Sequence, residues 1–514
     1  MNKRIVSILL VITMMFITVS CGEMSTNDYS NPAADEIDFT QEPVTITYLT
    51  IGDKPINGRT EEIIARLNRI LEKKLNARLD IYYVGWTDYL NSYDNAVKDK
   101  DLSIDLIGTG SDWLDAWPNV IEGNFMPLSE DMLRQYCGVT FTNVPRSLWR
   151  SCSYDGSIYF IPENEYTQWT NHGFIYREDI AREAGLYEVG SFEDLTTYFE
   201  CVVKNHPDMI PWDTDGKSSI VPLGYIMCKK KYAPIYELTT YGLWGEDLEN
   251  RGKIISPFYS GDELIEYAKL MKEWRLKGVY RTDMSAMGDN DAEFYAGESS
   301  VIQHHTQNYY TFIKPRAQLD MPDTDVNFFW FGKENGNLMK VSNLHGAMAV
   351  SAYSKNPERA LMVYDMLRND RECYNLIRYG IEGVQYEINN SNMVEKPSGY
   401  NENKDSFVTN FWWGRRDEFE YPDSSYALDD YYTLTNSYEH VAEAYPWEGV
   451  PFSTPYITEE LKEITAICDE YIPMISLGNY VGPPEDKVEE FRDKLKRAGF
   501  ERITGQIQRI YNEQ

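Results

Sequence analysis

Strands and helices alternate between residues 44 and 110, and this alternation constrains the fold more than any other feature of the chain. Residues 44–50 alternate polar and apolar side chains as a strand does, and apolar residues then recur at helical spacing from Ile63 to Leu75. The pattern continues with a second strand, a second helix and a third strand, at 79–84, 89–97 and 104–107. This β-α-β-α-β order predicts a parallel sheet covered by helices.

The binding site of such a sheet is expected at one edge. Ligands of open parallel sheets bind outside the carboxyl ends of the strands. The loops that follow the three strands contain Asp53, Trp86, Asp112 and Trp113. These loops are therefore predicted to converge and to form a ligand site.

The first 20 residues are predicted to be a signal peptide. Two basic residues precede an apolar run at 5–19, which is too short for a membrane span of ~20 residues. The run ends in Ser20, Cys21 and Gly22, which resembles the lipobox of bacterial lipoproteins, where the thiol receives diacylglycerol. We expect Cys21 to be the lipidated mature N-terminus and residues 21–43 to form the anchor and a flexible tether. Ordinary secretion with cleavage nearby is the alternative.

The charge balance excludes nucleic acid as a partner. The chain has 514 residues with 49 Lys and Arg against 81 Asp and Glu, a net charge of −32. Such a body as a whole repels nucleic-acid phosphate and anionic membrane. Its 39 Tyr and 12 Trp residues favour amphipathic binding surfaces instead.

Histidine and cysteine patterns predict no metal and no cofactor. The six histidines form no H-E-x-x-H motif, and the six cysteines after Cys21 form no C-x-x-C pair. His304 and His305 are expected on opposite faces of a strand, where they cannot chelate one ion together. Cys137 and Cys152 are predicted either to form a disulfide or to be buried thiols.

The rest of the chain is predicted to be mixed in secondary structure. Further strands are expected at 157–161, 173–176, 299–303 and 346–352. Further helices are expected at 180–184, 192–203, 264–274, 489–498 and 503–511, and after Asn356-Pro357. Gly, Asn, Ser and Asp crowd residues 388–406, which indicates a boundary near 400 and a separate C-terminal region at 401–514.

Five stretches read in order resemble the carbohydrate-type solute-binding lipoproteins of ABC importers, in the branch with an additional C-terminal domain. They are YDGSIYFIP at 154–162, YRED with AGL at 176–186, FYAGE at 294–298, SAYSKNPE at 351–358 and YGIEG at 379–383. The resemblance implies an α/β, two-lobed periplasmic-binding-protein-like fold with crossing strands and a hinge. By similarity, the first lobe is expected to hold 44–160 plus 296–340, and the second 165–290 plus 345–400.

The resemblance also implies a sugar-binding cleft between the lobes. Sugars present apolar C–H faces and hydroxyl groups, so their sites need aromatic planes and carboxylates or amides. Trp412 and Trp413 could reach this cleft, although packing between domains is the favoured interpretation. We predict ligand contacts from Asp53, Trp86, Asp112, Trp113, Glu163, Trp169 and His305, each weighed against the alternative that it packs within its own lobe or lies on the solvated surface.

The function implied is capture of an extracellular solute by a monomer anchored through lipid outside the cytoplasm, and its delivery to ABC permease subunits. The favoured solute is a sugar or oligosaccharide, with peptides and sugar acids as alternatives. A surface glycan-binding adhesin or sensor is the alternative. Glu163 and Glu165 could also mimic the two carboxylates of a glycoside hydrolase. No catalytic motif supports an enzyme, however, and none is predicted.

Overall fold

The computed structural model describes residues 29–163, 169, 171–214, 219–281, 290–452 and 454–513. These residues form two lobes, each built around its own sheet and hydrophobic core. The predicted signal peptide, Cys21 and Glu165 lie outside the described residues. Within those residues, no helix is both long and apolar enough to cross a membrane.

The first lobe contains a five-stranded sheet. Its strands, in spatial order, are Ala77–Val84, Val44–Ile51, Leu106–Thr109, Ala347–Val350 and Ile161–Pro162. The first three are parallel, as the β-α-β-α-β pattern predicted, and Ala347–Val350 runs antiparallel to its neighbours. The helices of this lobe are Arg59–Leu75, Tyr89–Lys98, Ala116–Ile121, Glu130–Tyr136, Gly138–Asn143, Arg146–Ser151, Pro357–Asn369, Arg371–Tyr379 and Glu402–Asp405.

The helix Arg59–Leu75 illustrates why these segments fold as they do. Ile63, Leu67 and Leu71 recur every four residues and are fully buried. Asn76 ends the helix in the left-handed conformation and returns the chain directly to the strand Ala77–Val84. The tight connection carries that strand back alongside Val44–Ile51 in the parallel register.

The second lobe contains a four-stranded sheet, with strands in the order Val326–Trp330, His172–Arg177, Ser299–His305 and Ile210–Trp212. A smaller antiparallel sheet joins Ile254–Ile255, Gly245–Asp247 and Tyr232–Pro234. The helices are Glu178–Glu183, Phe192–Asn205, Val221–Lys229, Glu263–Lys277, Asn290–Tyr295, Thr306–Asn308, Lys314–Asp320, Leu428–Glu439, Pro455–Ser476, Pro484–Arg497 and Phe500–Asn512. Three pairs of two-residue strands complete the structure: Ser153–Tyr154 with Ser157–Ile158, Glu387–Ile388 with Val394–Glu395, and Leu338–Met339 with Ala442–Glu443.

The division of the chain between lobes differs from the predicted one. Strand pairing places Ser299–His305 and Val326–Trp330 beside His172–Arg177, so 296–340 belongs to the second lobe. Ala347–Val350 pairs with Leu106–Thr109, so the segment after residue 345 belongs to the first. The chain does cross between the sheets near Ile161 and near Leu344, as expected, and it crosses a third time between residues 419 and 428.

The predicted C-terminal region is shared between the lobes rather than separate. Trp413 is 1% exposed and belongs to the core of the first lobe. The helices from Pro455 onward complete the core of the second lobe, where Phe500 stacks on Trp244 with ring centroids 4.5 Å apart. The Trp244 Nε1–H donates to Thr504 Oγ1 at 2.8 Å.

Two further predictions can be compared with the structure. Residues from Tyr29 onward were expected in the tether, but Ala33 is buried in the first lobe and the Tyr29 hydroxyl donates to Asp365 Oδ2 at 3.1 Å. Cys137 and Cys152 are both free and buried, so the alternative of buried thiols holds for this pair. Burial raises the pKa of both thiols well above the usual value.

Candidate functional site

An aromatic wall stands at the carboxyl edge of the first-lobe sheet. We use this term for Trp86, Tyr89, Trp113, Trp412 and Trp413. Ring centroids along it are 5.8 Å apart for Trp86 and Tyr89, 6.1 Å for Trp86 and Trp412, and 6.2 Å for Trp113 and Trp413, which stack at 13°. The loops after two strands thus meet a segment from the far end of the chain.

Two glycines allow this wall to form. A Cβ at Gly108 would clash with the Trp413 ring, and one at Gly110 would clash with the Trp113 ring. Trp413 is therefore buried against the sheet, while Trp412 is half-buried and Trp86 is 45% exposed. The wall has a packed base and an accessible rim of aromatic surface, which suits the apolar face of a sugar.

An Asp112–His345 pair adjoins the wall. The His345 Nδ1–H donates to Asp112 Oδ2 at 2.8 Å, and the Trp113 Nε1–H donates to the His345 carbonyl at 2.8 Å. Burial lowers the pKa of His345, but the Asp112 carboxylate and, more weakly, Glu163 raise it, and the net result is a pKa above its usual value. His345 lies in the second crossing segment, so this pair fixes a hinge segment to a strand-end loop.

Three histidines cluster at the end of the central strands of the second lobe. The ring centroids of His304 and His305 are 4.4 Å apart, and His172 lies 5.5 Å from His305. Burial lowers the pKa of His172 to about 3 and of His304 to about 4, and it also lowers the pKa of His305 strongly. All three are neutral hydrogen-bonding groups at neutral pH.

Backbone and side-chain amides contact the rings of this cluster. The His305 N–H donates to His304 Nδ1 at 2.9 Å, and the Asn308 N–H donates to His305 Nδ1 at 3.2 Å. The neutral His305 ring therefore carries its proton on Nε2. The expectation that His304 and His305 point apart is wrong, because His305 ends the strand and caps the next helix. In the described part of the chain, no group of three or more His, Cys, Asp or Glu side chains is arranged to hold a metal ion.

Charged groups of the first lobe shift the pKa values of residues in the second lobe. The Asp112 charge adds to burial in raising the pKa of Tyr236 in the second lobe. Burial raises the pKa of Glu237 to about 8, although a hydrogen bond from the Tyr445 hydroxyl opposes the shift. His345 likewise contributes to the lowered pKa of His305. Asp112 and His345 of the first lobe are thus close enough to Tyr236 and His305 of the second lobe to influence their pKa values.

The second crossing segment is held by the second lobe. The Asn343 N–H donates to Glu448 Oε2 at 2.8 Å, and the Ser342 hydroxyl donates to Glu448 Oε1 at 3.2 Å. The next residue, Gly449, approaches Ser151 of the first lobe so closely that a Cβ there would lie 3.1 Å from the Ser151 Cα. The Glu448 loop therefore touches both lobes beside the hinge.

The predicted site residues fall into three groups. Trp86, Asp112 and Trp113 follow strand ends at the carboxyl edge of the first-lobe sheet, and His305 ends a strand of the second-lobe sheet. Asp53 is exposed beside Gly85, where an added Cβ would lie 2.7 Å from Asp53 Oδ1. Glu163 is buried against Gly346 at the first crossing. Trp169 is 5% exposed and packs 5.1 Å from the Tyr438 ring in a core of the second lobe. Ligand contact by these residues stays a prediction, and for Trp169 the packing alternative fits better.

Four residues of this region were not predicted: His345, His172, Tyr236 and Glu237. His345 lies in a crossing segment, His172 begins a strand, and Tyr236 and Glu237 lie on a loop between short strands, so neither periodicity nor a motif singles them out. The sequence offered the reach of Trp412 and Trp413 into the cleft only as an alternative, and it gave no sign of the contact between Trp412 and Trp86.

Comparison with known proteins agrees with this architecture. Residues 449–513 match a family model described as a domain of unknown function, DUF3502. A carbohydrate ABC transporter substrate-binding protein of Streptococcus pneumoniae serotype 4 is 24% identical over 511 residues, covering 96% of this chain and 94% of that protein.

Solved structures show the same fold. The N-glycan transport solute binding protein NgtS of Streptococcus pneumoniae superposes with a TM-score of 0.68 at 19% identity, covering 91% of this chain and 98% of NgtS. The alginate-binding protein AlgQ2 without calcium ion superposes with a TM-score of 0.64 at 14% identity, covering 92% and 99%. The two-lobed fold predicted from the motifs is therefore confirmed.

The chain is thus similar over nearly its whole length to a carbohydrate ABC transporter substrate-binding protein, and it shares the fold of solved solute-binding proteins. The C-terminal match to DUF3502 fits the branch with additional C-terminal sequence, as the motifs predicted. The relatives are described as binding proteins, not as enzymes.

Proposed function

We propose that this protein captures a neutral oligosaccharide between its two lobes and delivers it to the permease subunits of an ABC importer. The observation that carries the proposal is the aromatic wall beside the Asp112–His345 pair, opposite the neutral histidine cluster. The wall supplies planes for the apolar faces of sugar rings. The carboxylate and the imidazole nitrogens supply acceptors and donors for hydroxyl groups.

The charge of the cleft favours neutral over acidic sugars. Asp112, Glu163 and Glu448 all lie at or near the gap between the lobes. A polyuronate such as the ligand of an alginate-binding protein would need cations there. Two basic residues near the strand ends are engaged elsewhere, since Lys54 pairs with Glu61, and Arg415 pairs with Asp417 and Glu420.

The solute class that fits best is a glycan built from mannose and N-acetylglucosamine. The NgtS structures include complexes with Man1GlcNAc and Man5GlcNAc, and this chain shares their fold. Several neutral sugar rings in a row would suit an elongated aromatic wall better than a single monosaccharide would. The role involves no catalytic step.

We further propose that the protein works as a monomer held outside the cytoplasm by lipid on Cys21. The motif at 20–22 and the preceding apolar run support this assignment. Replacing Cys21 by Ala should release the protein from the membrane fraction or leave it unprocessed. Unchanged mass and unchanged detergent partitioning in that variant would contradict lipid attachment.

A thermal-shift screen tests the binding proposal. The unlipidated protein would be screened against mannose and N-acetylglucosamine oligosaccharides, alginate oligosaccharides and peptides. A ligand at a hundredfold excess over its dissociation constant should stabilise the protein by ~2.7 kcal/mol. The Asp112→Asn variant should retain its fold and lose part of this stabilisation. Stabilisation by peptides or by alginate alone would overturn the assignment to neutral glycans.

A further inference from the structure

A second concave surface lies on the first lobe, away from the residues that face the second lobe. We call it the basic groove, and it has a volume of about 1130 Å³. Its walls include the helix Arg59–Leu75, the helix Arg371–Tyr379 and the segment around Phe419. Every residue that lines it belongs to the first lobe or to the segments that cover it. The groove is therefore separate from the proposed sugar cleft.

The charge of this groove is opposite to that of the molecule. Its lining contains four arginines, at 66, 69, 371 and 416, and two glutamates, whereas the whole chain has 49 basic against 81 acidic residues. Like charges gathered in one concave surface repel each other, which costs free energy unless an anion joins them. Beyond a Debye length of ~8 Å the acidic surface elsewhere is screened, so a ligand at the groove experiences the local positive charge.

Two of the arginines are held by hydrogen bonds and by stacking on Phe419. Arg416 pairs with the exposed Glu418 at 3.2 Å and donates to Asn369 Oδ1 at 3.0 Å, and Arg371 donates to the Phe419 carbonyl at 3.2 Å. The guanidinium carbons of Arg371 and Arg416 lie 4.3 and 4.4 Å from the Phe419 ring centroid, and this stacking holds both planar groups in place. Arg69 is exposed and donates to the Ala65 carbonyl at 3.3 Å, and it forms no ion pair with any described residue. Arg66 pairs with Glu62 at an exposed position, a weak interaction that a ligand can replace.

The groove also offers apolar surface beside its charges. Ile70, Tyr386 and Phe419 line it together with the arginines. The space is far larger than a phosphate ion. Its chemistry therefore matches an anionic group that is attached to an apolar body.

The start of the described chain lies at this groove. Tyr29 and Ser30 line it, and the hydrogen bond from Tyr29 to Asp365 fixes the chain there. Residues 21–28 can span at most about 28 Å when fully extended. With the lipid on Cys21 that is proposed above, the groove is confined to the neighbourhood of the membrane surface.

We propose that the basic groove binds the phosphate headgroup of an anionic phospholipid and so orients the lipid-anchored protein on the membrane. The arginines bind the phosphate, and the apolar lining accepts the glycerol and the first acyl carbons. This contact holds the first lobe against the bilayer and leaves the second lobe free to move relative to it. The membrane geometry rests on the proposed anchor at Cys21, but binding of the headgroup does not.

The test uses the mature chain with Cys21→Ser, which carries no lipid, and co-sedimentation with vesicles. Vesicles of phosphatidylcholine with phosphatidylglycerol should retain the protein, vesicles of phosphatidylcholine alone should not, and added salt should weaken retention. The variant Arg66→Gln with Arg69→Gln should bind about 25-fold more weakly, at about fivefold for each arginine. Both positions lie on a helix that tolerates glutamine, so the fold should be retained.

The control variant is Arg182→Gln, which removes an exposed arginine from a helix of the second lobe. It should bind the vesicles as the unmodified protein does. Equal retention of the double variant and this control, or no retention on phosphatidylglycerol, would overturn the proposal. Stabilisation by inorganic phosphate without vesicle binding would also overturn it and make the groove a small-anion site. Oligosaccharide affinity, measured in the same variants, should stay unchanged, which separates this proposal from the transport function.

Discussion

Replacing Trp86 by Ala tests whether the aromatic wall binds sugar. Trp86 exposes 45% of its surface at the rim of the wall. For a tryptophan of up to ~250 Å², this fraction is about 110 Å². A sugar ring that covers about half of it removes about 55 Å² of apolar surface from water, which is worth about 1.4 kcal/mol at ~25 cal/mol per Å². The substitution should therefore weaken oligosaccharide binding about tenfold.

Calorimetric titration with the best oligosaccharide from the screen would measure this loss. The substitution also removes the part of the ring that packs on Tyr89 and Trp412, so the free energy of unfolding should fall. A matched control is Trp244→Phe, which destabilises the second-lobe core by about 1–3 kcal/mol by leaving the Thr504 hydroxyl without its donor. Native affinity in Trp86→Ala, or an equal loss of affinity in the control, would refute the role of the wall.

Three further predictions concern packing, pH and motion. Trp169→Ala should lower the free energy of unfolding by about 3–5 kcal/mol in urea titrations, because the ring is buried against Tyr438; a loss below about 1 kcal/mol would show that the ring is not part of the core. The pKa of His304 is lowered to about 4 in the folded protein. Below a pH of about 6.5 the unfolded chain therefore binds a proton at His304 that the folded chain does not, so the free energy of unfolding falls as the pH decreases. Between a pH of about 7 and about 5, His304 should lower the free energy of unfolding by about 2 kcal/mol. This contribution should disappear in His304→Asn when unfolding is compared at the two pH values, and an unchanged pH dependence would contradict the neutral cluster. Saturating oligosaccharide should reduce the radius of gyration measured by solution scattering, since the lobes are expected to close about the crossings near Ile161 and Leu344, and tight binding without compaction would argue against a hinge.

The sequence predicted individual elements better than their assembly. Alternation and helical spacing identified the strands and helices of 44–110, because those patterns depend on neighbours in the chain. Sheet membership depends on pairing between distant segments, and a short buried strand such as Ala347–Val350 carries no mark of its partner. The sequence therefore assigned 296–340 and the segment after residue 345 each to the wrong lobe.

The candidate site was predictable only in its local part. Trp86, Asp112 and Trp113 follow strand ends, so the general rule for parallel sheets located them. Trp413, which stacks on Trp113, lies 300 residues further along the chain and could be joined to it only by the fold. The histidine cluster was missed because the alternation rule for strands fails at His305, the residue where the strand ends and a helix begins.

The interleaving of the two lobes along the chain determines when each lobe can fold. The first-lobe sheet lacks one of its central strands until Ala347–Val350 is present, and the second-lobe core lacks a wall until the helix Phe500–Asn512 is present. Contacts such as Tyr29 with Asp365, 336 residues apart, form only after long loops have closed. Topologies of this kind fold slowly and late. A chain that emerges N-terminus first should thus remain unfolded for most of its passage across a membrane, a state that suits export through a narrow channel.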